Sequence, residues 1–153
     1  MTISPSLSAS LEAVAAILAP ARDPWWIIAS AAVALHGADP GDVADVDVLI
    51  SANDARRILP TLGLKPRRGA AHASFRSGIF CPWRGTALPV EFMADFAYRS
   101  GGEWRPVLPA TRQKIDGNGW SVFVPDRSEL QIMLSGFGRP KDIARVRSLA
   151  ALG

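Results

Sequence analysis

Asp45 and Asp47 flank Val46 in Asp45-Val46-Asp47-Val48-Leu49-Ile50, a run whose β-branched apolar residues read as a strand. Residues two apart on a strand point the same way, so the two carboxylates share a face while Val46 and Val48 take the other. At a rise of ~3.3 Å per residue, about 6 to 7 Å separates their backbone positions. Their side chains can therefore converge on one ion, and they repel each other without it. Glu91 is the single acid inside Pro89-Val90-Glu91-Phe92-Met93, a second apolar segment from which a neighbouring strand could supply a third ligand. Three hard oxygen donors with no Cys or His beside them favour Mg²⁺ or Mn²⁺ over zinc, and such ions keep water and bind substrate phosphate. Phosphoryl-group chemistry is the expectation. The plain alternative is that Asp45 only starts the strand, Asp47 faces solvent and Glu91 pairs with an arginine such as Arg76.

The elements that must position these acids follow from spacing. Ser8 precedes Leu11, Val14, Ala15, Ile17 and Leu18 at helical intervals, and Pro20 closes that helix. Trp25 to Ala29 predicts a short buried strand, after which Ser30 opens a helix through His36 that Gly37 ends. Gly37 to Ala44, with Asp39-Pro40-Gly41-Asp42, is a turn-rich loop leading into the strand of the two acids. Ser51 or Asn53 then caps a helix through Ala55, Ile58, Leu59 and Leu62 to Gly63. Ala71–Ile79 and Leu88–Met93 can pair across the turn-prone region from Pro82 to Gly85.

The stretch from Tyr98 to Asp116 carries the least pattern, but Asp116-Gly117-Asn118-Gly119 is a strong turn, with Trp120 to Val124 as the return strand of a hairpin. Asp126 and Glu129 have capping-box spacing before Leu130, Ile132, Met133 and Leu134. Pro140 opens a last helix with Ile143, Val146 and Leu149 on one face. The fold class expected is α/β (α+β), a small mixed sheet flanked by helices.

The chain of 153 residues fits a single domain spanning 1–153, and 48% hydrophobic against 20% charged residues allows a packed interior. One cysteine, Cys81, rules out an internal disulfide, and with two histidines it leaves no zinc ligand set. Leu11 to Ala19 is too short to span a bilayer and has no basic segment before it, so no membrane role is expected and the cytoplasm is the default location. The net charge of +3, partly from Arg56, Arg57, Lys65, Arg67 and Arg68, is compatible with phosphate-bearing partners, but a solvated surface explains it as well. Nucleic acid as a partner stays open on charge alone.

Ile28-Ala29-Ser30-Ala31-Ala32-Val33-Ala34-Leu35-His36-Gly37 followed by Asp45-Val46-Asp47-Val48-Leu49 resembles the minimal nucleotidyltransferases of the DNA polymerase beta superfamily, over most of the chain. The tail Gly138-Arg139-Pro140-Lys141-Asp142-Ile143-Ala144 is similar to the ending of small members related to abortive-infection and toxin-type nucleotidyltransferases. The resemblance implies the nucleotidyltransferase fold and an NTP as donor. It implies Asp45, Asp47 and Glu91 as catalytic, metal-binding acids, the Ala29-Ser30 turn against the triphosphate, and Lys141 on the nucleotide. It implies metal-dependent transfer of a nucleoside monophosphate to an acceptor hydroxyl on a protein, an RNA or a small molecule. The acceptor would sit on this domain's surface, in a homodimer or on a partner protein.

Three positions depart from the family pattern. Ala29 stands where the family has the first turn glycine, Asp39 and Asp42 make the following loop acidic, and Arg145 replaces a common acid. They point to a second reading, a catalytically impaired relative acting as a nucleotide-binding or interaction module. His36, before Gly37, can either contact phosphate or metal, or pack as a helix-end residue. Trp83 and Trp104, in less regular segments, are the candidates for stacking a base.

Overall fold

Ser4 starts the first helix, α1 (Pro5–Ile17), by accepting a hydrogen bond from the Leu7 amide at 3.1 Å, while Pro5 occupies a first-turn position where no donor is missed. Leu7, Leu11 and Val14 form its buried stripe. The computed structural model describes residues 3–153. Within them, α1 lies behind a mixed sheet whose strands run in the order β1 (Trp26–Ile28), β2 (Val46–Leu49), β4 (Val90–Ser100), β3 (Phe75–Trp83), with β5 (Glu103–Pro106) also paired to β4. β1 is antiparallel to β2, β2 parallel to β4, and β4 antiparallel to both β3 and β5. A separate hairpin, β6 (Gln113–Asp116) and β7 (Ser121–Val124), packs beside β1 and α1. The mixed sheet and flanking helices agree with the fold class expected from the sequence.

Period-two alternation decides which side of the sheet is core. Val46, Val48, Val90 and Phe92 are fully buried, whereas Asp45, Asp47 and Glu91, in the alternate positions, are half-buried. The helices α2 (Ala29–Leu35), α3 (Ala52–Ile58), α4 (Arg127–Phe137) and α5 (Pro140–Ala150) complete the structure. Among the described residues no helix is long and apolar enough to cross a membrane.

Several expectations are corrected in detail. Ser30 does not cap α2: the helix begins one residue earlier, at Ala29, with Ile28 in the capping position and no side-chain cap. The helix after the acid strand gives way at Leu59 to a 3₁₀ turn, Leu59–Leu62, where Pro60 cannot donate to an α-helical ladder. Pro82 lies inside β3 rather than in the turn, which an edge strand tolerates because its outward amide has no partner to lose. β4 runs on to Ser100 and turns through Gly101 and Gly102, both at positive φ, into β5, where no strand was expected.

Asp126 caps α4 as its spacing suggests, accepting from the Glu129 amide at 2.8 Å. The Glu129 carboxylate does not close a capping box. It turns instead to the amides of Ala110 and Thr111, both at 2.8 Å, and ties down the segment that crosses in front of β1.

Candidate metal centre

The register of β2 against β4 sets Asp47 level with Glu91, and Asp45 enters from the residue just before β2. The three side chains come together: one oxygen from each carboxylate lies within 4.8 Å of the others. Burial raises the Asp47 carboxyl well above its ordinary value; the charge of Asp45, a hydrogen bond with Glu91 and the charge of Glu91 add to this, and Arg139 pulls modestly the other way. Such a cluster resists carrying its full negative charge, and a divalent cation relieves it. Three oxygen donors at this spacing, with no sulfur or imidazole among them, suit Mg²⁺ or Mn²⁺. The alternative of a Glu91–Arg76 pair does not occur, because the Arg76 guanidinium lies over the Trp104 ring, 4.7 Å from its centroid.

Asp47 and Glu91 open into a hollow of about 130 Å³, bounded by Ala29, Met93, Phe137 and Arg139 among others. Ala29 has φ 58°, in the left-handed region that favours glycine. The turn between β1 and α2 thus keeps a glycine-like backbone at an alanine, and the alanine methyl borders the hollow. Ser30 follows it, buried, in the first turn of α2.

Arg139 is the basic residue at this hollow. Gly138 ends α4 in a left-handed conformation, and Pro140 holds Arg139 extended, which returns its side chain over the sheet. There Nε and Nη2 bond to the two Asp142 carboxylate oxygens at 2.6 and 3.0 Å, and the guanidinium covers the Phe75 ring. Sequence reasoning placed the basic group two residues later. Lys141 lines a different hollow, with Asp39, Asp42 and Arg145. The available signal was Arg139 followed by a helix-starting proline and, three residues on, by Asp142.

The remaining candidates sit apart from the acids. His36 ends α2, and its Nε2 donates to the Pro125 carbonyl at 2.8 Å, so it packs as a helix-end residue. Arg145, buried, donates to the carbonyls of Pro40 and Asp42 at 2.8 and 3.1 Å, and Ser148 to that of Asp39. The departure at Arg145 therefore has a structural reason: it pins the acidic loop. Trp104 is flanked by Arg76 and Arg99, and Trp83 packs against the core.

No family model matches the sequence, and no curated protein matches it. Solved structures are similar to it. A protein from Thermotoga maritima, provisionally assigned as a nucleotidyltransferase, gives a TM-score of 0.72 at 21% identity over 95% of this chain and 93% of its own. An antigenic nucleotidyltransferase-like protein from Paracoccidioides brasiliensis gives 0.61 at 18% identity over 95% and 76%. The lincosamide antibiotic adenylyltransferase LnuA, with lincomycin bound, gives 0.55 at 9% identity over 85% and 87%. With TM-scores of 0.55 to 0.72 and so little shared sequence, what these proteins have in common is architecture, and the chain has the nucleotidyltransferase fold.

Proposed function

We propose that the protein transfers a nucleoside monophosphate from an NTP to an acceptor hydroxyl, with Mg²⁺ or Mn²⁺ held by Asp45, Asp47 and Glu91. The observation that carries this reading is the meeting of the three carboxylates within 4.8 Å. The acceptor oxygen attacks the α-phosphorus, the bond from that phosphorus to the bridging oxygen breaks, and pyrophosphate leaves with the electron pair. The hydroxyl proton passes to a carboxylate of the cluster. A divalent ion, when bound, supplies positive charge at the phosphate oxygens and makes the hydroxyl more acidic. Arg139 faces the same hollow with Nη1 free of protein partners among the described residues, in position to bind a phosphate oxygen. Ala29 lines the hollow and Ser30 follows it in the first turn of α2, so this turn is where the triphosphate would lie, whereas Lys141 lines a separate hollow and would have to reach the nucleotide from there.

LnuA, a lincosamide adenylyltransferase, supports a small molecule as one acceptor class within this fold. A protein or RNA acceptor and assembly as a homodimer or with a partner protein belong to the same proposal. Incubation with each labelled NTP, Mg²⁺ or Mn²⁺ and cell extract, beside an Asp45→Asn, Asp47→Asn variant, tests the reading. It expects label transfer that the variant loses. Absence of transfer together with absence of metal-dependent nucleotide binding refutes it.

A second reading, nucleotide sensing or partner binding without turnover, is favoured by one observation: the hollow at the acids is about 130 Å³, below the ~300 Å³ at which small-molecule pockets usually begin. It predicts nucleotide binding in the same assay with no transfer.

A further inference from the structure

Beyond the acids, on the same face of the sheet, lies a second and larger cavity of about 630 Å³. Leu49 pairs with Met93 one alternation further along β2 and β4 than Asp47 and Glu91, and both line it; Met93 and Phe96 border the acid hollow as well. Trp26 forms another part of its wall, and Val107 and Leu108 come from the segment between β5 and β6. That segment is fixed: Glu129 holds Ala110 and Thr111, and the Trp26 indole donates to the Thr111 carbonyl at 2.8 Å. The volume falls in the range of about 300 to 1,000 Å³ typical of small-molecule sites. Leu108 stands at the edge, 80% exposed, an apolar side chain with no cover.

The polar groups of this cavity are unevenly charged. Asp95 contributes a carboxylate with no hydrogen bond or ion pair among the described residues, and Asp23 a second, bonded by the Ser51 hydroxyl at 2.6 Å. Arg112, the cation on the lining, is turned away: its Nε donates to the Trp25 carbonyl and its guanidinium lies 3.3 Å from the centroid of the Phe123 ring. Asp95 also has φ 51° in the middle of β4, a left-handed conformation inside a strand. Opposite it lies Gly78, where a Cβ would come within 3.0 Å of the Asp95 Cβ and 3.1 Å of its Oδ2. The bend this imposes shows in Phe96, which borders the same hollow as Glu91 and Met93 although it lies an odd number of residues from both. Asp95 is exposed and borders both this cavity and the one on the Gly78 side, so its carboxylate is open to a ligand and is not satisfied by protein groups.

We propose that this cavity is the acceptor site, and that the acceptor is a small molecule with an apolar body, a protonated amine and a hydroxyl. The amine is held by Asp95 with Asp23 behind it, the apolar body lies on Trp26, Leu49, Met93 and Leu108, and the hydroxyl reaches toward Asp47 and Glu91. This assignment rests on the transferase reading, because the hydroxyl is the group that attacks the α-phosphorus as set out above.

The test is binding, read without nucleotide. Monocyclic aromatic amino alcohols, with phenylalaninol as the first probe, are titrated by ligand-observed NMR beside their N-acetylated counterparts, which keep the body and the hydroxyl but lose the charge. The expected result is at least tenfold tighter binding of the amines and loss of that preference in Asp95→Asn, a residue that also tolerates the left-handed backbone. Leu108→Ser, at an exposed edge where folding is insensitive, should weaken amine binding several-fold. Equal binding of amine and amide, a preference that survives Asp95→Asn, or no binding across the panel at millimolar concentration overturns the proposal. The transfer assay separates the two ideas. Amine binding without transfer or nucleotide binding leaves the cavity an amine-binding site but overturns both the transferase and the acceptor role; transfer to an RNA end without amine binding keeps the transferase and overturns the cavity assignment.

Discussion

Asp47 stands level with Glu91 across the parallel pairing of β2 with β4, and this register brings a third carboxylate to the Asp45–Asp47 pair. The arrangement carries a cost to folding that a cation should repay. Replacing Asp47 with Asn removes one of three crowded carboxylates and should stabilise the metal-free protein by about 1 kcal/mol. In the unaltered protein, Mg²⁺ or Mn²⁺ at a hundred times its dissociation constant should add about 2.7 kcal/mol. Thermal unfolding with and without metal checks both: the variant should melt higher than the parent without metal and lose most of the metal response.

Ala29 at φ 58° provides a second prediction. A left-handed alanine costs roughly 1–2 kcal/mol, whereas a glycine there returns about 0.4–1 kcal/mol in unfolded-chain entropy. Ala29→Gly should therefore stabilise the protein by up to about 1.5 kcal/mol and, by removing a methyl from the rim of the acid hollow, strengthen nucleotide binding. Ala29→Val should destabilise by about 2 kcal/mol or more, since a β-branched side chain is poorly accommodated at positive φ. Denaturant midpoints for the two variants report the opposite signs.

Glu129 supplies the pH dependence. Burial works against its charge, yet the Thr111 hydroxyl and the amides of Ala110 and Thr111 hold its carboxyl below the ordinary value. The unfolded chain therefore binds a proton at Glu129 more readily than the folded one. The stabilisation is fully present above the unfolded-state value of about 4.3 and is lost as pH falls through the lower folded-state value. Glu129→Gln should lower stability at pH 7 by about 1.5–3 kcal/mol, the worth of hydrogen bonds to a charged group, and flatten the loss of stability on acidification. Urea unfolding of the two proteins between pH 3 and pH 7 measures this.

Arg139 and Asp142 form the remaining testable pair. Asp142 is fully buried and its carboxylate takes both bonds of the guanidinium, so Arg139→Ala leaves an unpaired buried charge and should cost about 3–5 kcal/mol. Arg139→Lys keeps the charge without the paired geometry; it should fold better than the alanine variant and bind NTP about tenfold more weakly than the parent, read by calorimetry.

The meeting of the three carboxylates was legible because its geometry is local. A spacing of two on an apolar strand places Asp45 and Asp47 on one side, and a lone acid in a second apolar segment marks Glu91. The element order around them was legible for the same reason, since Pro, Gly and capping residues punctuate short periodic runs. What escaped depends on backbone states that side-chain pattern does not report. Nothing in the spacing of β4 marks Asp95 as left-handed, and Ala29 conceals a glycine-like turn behind an ordinary helix former. Arg139 was passed over for Lys141 because its direction is set by the reversal at Gly138 and not by periodicity. β5 is short and mostly exposed, so it lacks alternation, although Gly101-Gly102 was a turn signal in plain view.

The most direct measurement is calorimetric titration of the protein with a non-hydrolysable NTP analogue, with and without Mn²⁺, repeated for Asp47→Asn and Glu91→Gln. Nucleotide binding should require Mn²⁺ and fall at least tenfold in both variants while their folds stay intact. Binding that is indifferent to the metal, or that survives both substitutions unchanged, would contradict the proposed function.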